Sequence, residues 1–229
     1  GLVQEVRVIK GEVEQFVEVL ENDCVYLADL IHGQKTGWFY DQRDNRKMIA
    51  DLSRGKSVVD IYSHSGGFGL LAAKAGASSV TLVDSSALAL DMAQQAAAKN
   101  NVATQCVKGD AFPVMENFAR AGKKFDVVLA DPPAFAKSKK DIVAGLKGYE
   151  KVARLCAPLV EKNGLLFMAS CSHHAGRSAF NKAVLDGIKK AGFAAEILKQ
   201  TGAAPDHPHH KLLLQSEYLK GILLKLTKN

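Results

Sequence analysis

Ser57-Val58-Val59-Asp60-Ile61-Tyr62-Ser63-His64-Ser65-Gly66-Gly67-Phe68-Gly69 decides the fold of this 229-residue chain. An apolar run closed by a turn signal reads as a buried strand, and the glycines behind it let the backbone turn sharply. Outward from this unit the pattern repeats. Ser79-Val80-Thr81-Leu82-Val83-Asp84 is the next run, and Ser85 or Ser86 can cap a helix from Ala87 to Lys99. Val102 to Val107 is a weaker strand. Val127-Val128-Leu129-Ala130 and Leu165-Leu166-Phe167-Met168-Ala169 are two stronger ones. Tyr149, Val152, Cys156, Leu159 and Val160 mark one helix face, with Gly164 as its stop. Phe180, Val184 and Ile188 mark another, closed by Gly192, and Phe193 to Leu198 and Tyr218 to Leu226 supply two late strands. Strands alternating with helices predict an α/β fold, a mostly parallel sheet covered on both faces.

The first forty residues read differently. Glu5-Val6-Arg7-Val8, Glu12-Val13-Glu14 and Val17-Glu18-Val19 alternate polar with apolar, Asn22-Asp23 is a turn, and Cys24-Val25-Tyr26-Leu27-Ala28 returns as a strand. This predicts a small antiparallel β element. The chain starts at Gly1 and runs straight into strand-like sequence, so it reads as a piece of a longer protein.

Composition narrows the function. Hydrophobic residues make up 47% and charged residues 24%, which supports a real core and argues against disorder. The net charge of +6 suits a nucleic-acid partner without requiring one. The four cysteines, Cys24, Cys106, Cys156 and Cys171, have no zinc-like spacing, and a disulfide framework is not expected at this density. A reducing, cytoplasmic compartment follows. Neither a membrane-spanning run nor a signal peptide is visible. His207, His209 and His210 look metal-like, but no Cys or acid completes a set, so no metal is expected.

Function gathers at the carboxyl ends of strands in open α/β sheets. The glycine spacing at 66–69 is not the dinucleotide fingerprint. Asp60, Asp84 and Asp110 nevertheless place one acid at each of three successive strand ends. Asp84 can accept both hydroxyls of a ribose, and Asp110 can accept from an adenine amino group. Together with the glycine loop they fit an adenosine-bearing cofactor lying across the sheet; each taken alone could be a helix cap. Asp131-Pro132-Pro133 and Ser170-Cys171-Ser172 follow the two strongest strands. Neighbouring strands lie about 5 Å apart, so an Asp and a Cys could converge on one small group. A free Cys is more often a small buried hydrophobe, which is the reading for Cys24, Cys106 and Cys156. Cys171 lies past its strand between two serines. Arg43 and Arg46 read as a solvated helix face or as contacts to cofactor or phosphate. Lys137, Lys139 and Lys140 follow the Asp-Pro-Pro loop and could meet phosphates.

At these residues the chain resembles class I S-adenosylmethionine-dependent methyltransferases. More narrowly, it resembles the bacterial large-subunit ribosomal RNA cytosine-C5 methyltransferase I family. The likeness rests on Thr36 to Arg46, Ser65-Gly66-Gly67-Phe68, Asp131-Pro132-Pro133-Ala134-Phe135, Ser170-Cys171-Ser172, Asp206-His207-Pro208 and Tyr218-Leu219-Lys220-Gly221. It departs in carrying Ser63-His64-Ser65 where Ser-Tyr-Thr is common, and the RNA-binding PUA domain usual at the family's N-terminus is absent or removed from the sequence at hand.

The resemblance implies a Rossmann-like sheet of seven strands over 41–229, preceded by the small β element of 1–40. It implies S-adenosylmethionine held by Phe39, Arg43, Asp60, Tyr62, Ser63, Ser65, Gly66, Gly67, Phe68, Asp84, Ser85, Asp110, Ala111 and Asp131, with Asp206-His207-Pro208 looped near the active site. It implies ribosomal RNA as partner; the oligomeric state stays open, a homodimer being one expectation. The chemistry implied is addition of the Cys171 thiolate at cytosine C6, with Asp131 as general acid near N3. No second Cys follows Asp131, so the base for the C5 proton is unassigned. Methyl transfer to a nitrogen of guanine or adenine, and a cofactor-binding module without catalysis, are the competing readings. Nitrogen transfer needs no thiolate.

Overall fold

The computed structural model describes residues 6–31, 33, 37–208, 210, 212–213 and 216–228. The chain opens with an antiparallel hairpin, β1 (Val17–Glu21) and β2 (Cys24–Ala28), paired from Val17↔Ala28 to Glu21↔Cys24. Its turn residues Asn22 and Asp23 both have positive φ, 51° and 58°, the mirror-image turn whose twist suits a two-residue hairpin. A 3-10 turn, Tyr40–Gln42, leads into α1 (Arg43–Leu52). Then follow β3 (Ser57–Ile61), α2 (Gly67–Lys74), β4 (Ser79–Asp84), α3 (Ala87–Lys99), β5 (Gln105–Lys108), α4 (Ala111–Arg120) and β6 (Phe125–Ala130). The chain continues with α5 (Ile142–Cys156), β7 (Val160–Ser170), α6 (Arg177–Lys190), β8 (Phe193–Thr201) and β9 (Lys220–Lys228).

The seven later strands form one sheet in the order β5-β4-β3-β6-β7-β9-β8. β5 to β7 run parallel, and β9 is antiparallel to both β7 and β8. This is a Rossmann-like sheet, with the strand order reversing between β3 and β6. At such a switch point the two chains leaving the strand tips diverge and open a crevice.

Side chains alternate across the sheet. Val59, Ile61, Val128, Ala130, Leu166, Met168, Ile222 and Leu224 pack in one cluster with Tyr149 and Val152 of α5 and Phe180 and Val184 of α6. Val58, Val127, Leu129, Leu165, Phe167 and Leu223 join Ile49 of α1, Phe68 of α2 and Leu90 of α3 on the other face. Burial on both faces explains why these strands read as unbroken apolar runs. Each large side chain so buried contributes about 1.5–3 kcal/mol.

The hairpin is seated on this unit. Tyr26 and Trp38 share a third cluster with Leu70 and Leu71 of α2 and Met92 and Ala96 of α3. Asn100 clamps the strand edge, accepting from Val25 N–H at 3.0 Å and donating to its carbonyl at 2.6 Å. Arg46 reaches back to Glu21 with two hydrogen bonds, at 2.7 and 2.8 Å.

The helix predicted over 87–99 has those bounds, and its cap is Ser86, whose Oγ accepts from Ala89 N–H at 3.2 Å. Two expectations need correcting. Residues 6–14 form no strand and are exposed throughout: alternation makes a strand only where a partner edge and a core receive it. Glu5 lies outside the described residues. Gly164 does not stop a helix; α5 ends before Pro158, which cannot continue it, and Val160 already opens β7. Gly164 sits inside that strand where its register against β6 shifts, and a Cβ there would lie 2.8 Å from the Asp126 carbonyl oxygen. Helices α2 and α4 lie outside the sequence reading. One starts among glycines and the other carries Pro113, tolerated because it falls in the first turn. Among the described residues no helix is long and apolar enough to cross a membrane.

Candidate active site

The loop after β3 is wound tightly against β4. Tyr62, His64 and Gly66 all have positive φ, at 66°, 49° and 84°. Ser63 N–H donates to Val83 O at 3.0 Å, and Gly66 N–H to Ser63 O at 2.8 Å. At Gly69 a Cβ would stand 2.2 Å from the Leu82 side chain, so only glycine lets α2 approach the sheet this closely. The Gly69 N–H, in the first turn of α2, donates to Asp60 Oδ2 at 3.0 Å. Asp60 is almost wholly buried. Desolvation, with lesser repulsion from Asp131 and Asp84, pushes its carboxyl up to about 8.

Asp84, at the tip of β4, accepts twice from backbone: His64 N–H at 2.8 Å and Ser86 N–H at 2.9 Å. It therefore fixes both the loop and the start of α3 while remaining partly exposed. Burial pushes the His64 imidazole down, and its ring meets Phe39 edge-on at 5.8 Å. Ser65 is buried beside it, with Oγ 3.2 Å from His64 Nδ1. Ser63 Oγ is buried with no partner among the described residues. Gly67 and Phe68 open α2, Phe68 turning into the core. Asp110 stands exposed at the N-cap of α4 and makes no capping bond, and Ala111 opens that helix two residues past Gly109; Ser85 is exposed beside Asp84.

The second half of the site lies across the switch point. β6 and β7 are neighbours, with Ala130 opposite Met168, so Asp131 and Cys171 leave adjacent strand tips. Gln42 Nε2 donates to Asp131 Oδ2 at 2.7 Å, and Asn45 Nδ2 holds Gln42 Oε1 at 2.6 Å. The two loops are tied behind these residues by hydroxyls. Ser170 Oγ donates to Tyr149 Oη at 2.8 Å, Tyr149 Oη and Ser172 Oγ are 2.8 Å apart, and Ser172 Oγ accepts from Ala136 N–H at 3.2 Å. Gly145 and Gly148 admit this loop against α5, where a Cβ would come within 2.9 and 2.8 Å of residues 135–136. Cys171 is partly exposed, and among the described residues no cysteine is joined in a disulfide.

Some predicted residues go elsewhere. Arg43 pairs with Asp206 at 3.0 Å and Asp44 at 3.4 Å, which brings the Asp206-His207-Pro208 loop to the start of α1. Arg46 is neither solvated nor turned to a phosphate: it is buried in its pair with Glu21 and lies 4.5 Å from the Trp38 ring centre. His209 lies outside the described residues, and among those described no His, Cys, Asp or Glu group could hold a metal. Two surface depressions, one along Ser78, Thr81 and Lys124 and one along α6, lie away from the strand tips.

The sequence reading missed Gln42, Tyr149 and Lys220. Gln42 and Lys220 stood inside quoted motifs, and a lone Lys heading an apolar strand was the available signal. Lys220 is buried, and its Nζ donates to Ser172 O at 2.6 Å. Tyr218 Oη donates to Asp41 Oδ2 at 2.6 Å, while the buried Asp41 Oδ1 has no partner among the described residues.

Comparison with known proteins agrees with this geometry. The family model described as Conserved hypothetical protein 95 matches residues 45–190. The Ribosomal RNA large subunit methyltransferase I of Aeromonas salmonicida is 38% identical over 98% of the chain, and that of Shewanella frigidimarina 35% over 99%. The chain spans 58% of the length of each. Among solved structures, SMU.776, described as a methyltransferase complexed with SAH, is 26% identical with a TM-score of 0.85, over 95% of this chain and 58% of that one. The seven-stranded sheet is thus a methyltransferase sheet.

Proposed function

The chain belongs to the Conserved hypothetical protein 95 family, and we propose that it is an S-adenosylmethionine-dependent methyltransferase acting on ribosomal RNA at cytosine C5. The observation that carries the reading is the pairing of Asp131 and Cys171 on adjacent strand tips, across a switch point from three acid-bearing tips. The residues present fit the cofactor. Ser63 offers a buried hydroxyl without a partner among the described residues, and the carboxyls of Asp60, Asp84 and Asp131 favour a cationic ligand.

In this reading Asp60, Tyr62, Ser63, Ser65, Gly66, Gly67, Phe68 and Phe39 hold one end of the cofactor and Asp84, Ser85, Asp110 and Ala111 the other. Arg43 closes the rim with Asp206. The unit 41–229 is the methyltransferase domain, preceded by the small β element of 1–40. Bound S-adenosylmethionine supplies an electrophilic methyl group. Cys171 Sγ adds to C6 of the base, and the electrons of the C5=C6 bond move into the ring. Asp131, oriented by Gln42, gives a proton toward N3. The ring is then an enamine whose C5 is nucleophilic. Lys137, Lys139 and Lys140, on the loop after Asp131, meet RNA phosphates. The work belongs to the cytoplasm, where ribosomal RNA is made.

The test is a trapped intermediate. RNA carrying 5-fluorocytosine at the target should form a covalent adduct that maps to Cys171 and to none of Cys24, Cys106 or Cys156. Cys171→Ala should bind cofactor normally and lose methyl transfer. Retention of more than a few per cent of activity would overturn the covalent mechanism and favour transfer to a nitrogen, with Asp131 and its prolines holding an exocyclic amine.

A further inference from the structure

We propose that Lys220 is a positioning residue whose buried ammonium stands beside the Cys171 turn and holds that thiol as a thiolate. The proposal rests on the reading of Cys171 as the nucleophile. Lys220 opens β9 opposite Ser170, the last residue of β7. Its Nζ reaches past the strand end to the carbonyl oxygen of Ser172 at 2.6 Å. Cys171 lies between these two attachment points.

The side chain is 2% exposed, and among the described residues the Ser172 carbonyl is its one hydrogen-bond partner. No carboxylate among them pairs with Nζ. An ammonium buried without a counter-charge is costly, so the site calls for an anion. The charged or titratable groups that face Lys220 are Arg177 from α6, Glu217 from the segment before β9, and Cys171. Tyr149 from α5 and Tyr218 face Cys171 itself. Glu217 is matched by Arg177, whose guanidinium lies 3.4 Å from it and also donates to Thr201 O at 2.7 Å. That leaves the sulfur of Cys171 to bring negative charge beside Lys220.

Burial pushes the Lys220 amine down to about 8, repulsion from Arg177 adds to this, and Cys171 acts in the opposite direction. The attraction is mutual: a neighbour that favours the ammonium is itself favoured as the thiolate. The thiol proton passes to solvent. The same ammonium then stabilises sulfur as the attacking group and again as the departing one.

The experiment reads ionisation of the thiol without RNA or cofactor. The whole chain is treated with iodoacetamide across a pH series, and alkylation of Cys171 is followed by peptide mass spectrometry. The wild-type midpoint should lie about one pH unit or more below the ordinary thiol value of about 8.5. Lys220→Met should raise the midpoint by about one unit and slow alkylation at pH 7 roughly five- to tenfold. Lys220→Arg should restore most of it. Lys220→Gln, which keeps a donor for Ser172 O, should behave as Met does, which separates loss of charge from a loosened turn. Equal midpoints in wild type and Lys220→Gln would overturn the proposal. A Lys220-dependent midpoint without a fluorocytosine adduct would instead remove the cytosine-C5 reading and leave the ion pair standing.

Discussion

Arg46 and Lys220 are both cations withdrawn from water, 3% and 2% exposed, yet they are housed in opposite ways. Arg46 sits at the seam between the hairpin and α1. Its Nε and Nη2 meet both oxygens of Glu21, Nη2 also donates to Phe39 O at 2.8 Å, and Trp38 Nε1 donates to the same carboxylate at 3.2 Å. That charge has a fixed carboxylate partner, so the pair reads as a fastener. Lys220 sits at the strand tips with one neutral carbonyl. A buried charge with no fixed carboxylate is poorly explained as a fastener; it is better explained as the counter-charge of a reactive sulfur beside it. The two regions teach how to tell a structural ion from a working one: count the partners, not the burial.

The largest expected effect breaks the first member of the comparison. Arg46→Met leaves the Glu21 carboxylate buried and unpaired and should cost about 3–5 kcal/mol in urea unfolding. Adding Glu21→Leu should recover most of that loss, because an apolar pair of similar volume is often neutral in such a place. A single variant as stable as wild type would show that the ring stack of Tyr26 and Trp38, 4.4 Å between centroids, seats the hairpin without the ions.

Lys220 should respond with the opposite pH signature. Its folded value, about 8, lies below its ordinary 10.5, so between these limits the unfolded chain binds the extra proton. Stability attributable to this residue therefore rises as pH climbs from about 8 to 10.5, and is lowest below 8, where the buried amine must carry its charge. Relative to Lys220→Met, wild type should gain at most about 3.5 kcal/mol across that window, at roughly 1.4 kcal/mol per unit. Thermal unfolding of both proteins between pH 7 and 11 checks it. Parallel curves would mean that fixed partners fully offset the burial of the amine, as they do for Arg46.

The contrast also shows what could be read from sequence. The parallel sheet was legible because strands buried on both faces leave unbroken apolar runs, such as Val127 to Ala130 and Leu165 to Ala169. The hairpin turn was legible because Asn22-Asp23 tolerates positive φ. The acids at 60, 84 and 131 were legible by their place at strand ends. The partners of those groups were not. Gln42 meets Asp131 only because β6 crosses over to lie against β3, a pairing that no local pattern encodes. Arg46 read as a solvated helix face or a contact to cofactor or phosphate, since its partner comes from a hairpin strand 25 residues earlier. Lys220 was quoted only within its motif at the head of a late strand, since its partner, the Ser172 carbonyl, comes from a turn 48 residues earlier.

Asp84 tests an intermediate case, an anion held by fixed donors but partly exposed. Asp84→Ala should weaken S-adenosylmethionine binding by about 1–3 kcal/mol, read by calorimetry. Part of that loss would come through the loop, since Asp84 holds His64 N–H as well as facing the crevice. Asp84→Asn keeps one acceptor oxygen and should fall between. Unchanged affinity in a folded Ala variant would place Asp84 with Arg46 as a structural ion and take it out of the cofactor site.

The smallest effect sharpens the comparison most. Tyr149 Oη ties Ser170 and Ser172 together at 2.8 Å each, and its ring stays packed against Phe135 and Phe180, 4.9 and 5.1 Å away. Tyr149→Phe removes only the hydroxyl, so the cost in stability should be about 0.5–1.5 kcal/mol. The turn that carries Cys171 would keep Ala136 N–H on Ser172 Oγ and Lys220 on Ser172 O. If the charge of Lys220 sets the ionisation of Cys171, the alkylation midpoint should stay within about 0.2 pH units of wild type, although the turn has lost a hydrogen-bond hub. If the midpoint moves as far as in Lys220→Met, the hydroxyl network governs the thiol. Lys220 would then be a fastener of the Ser170–Ser172 turn, and the distinction between the two buried cations would collapse.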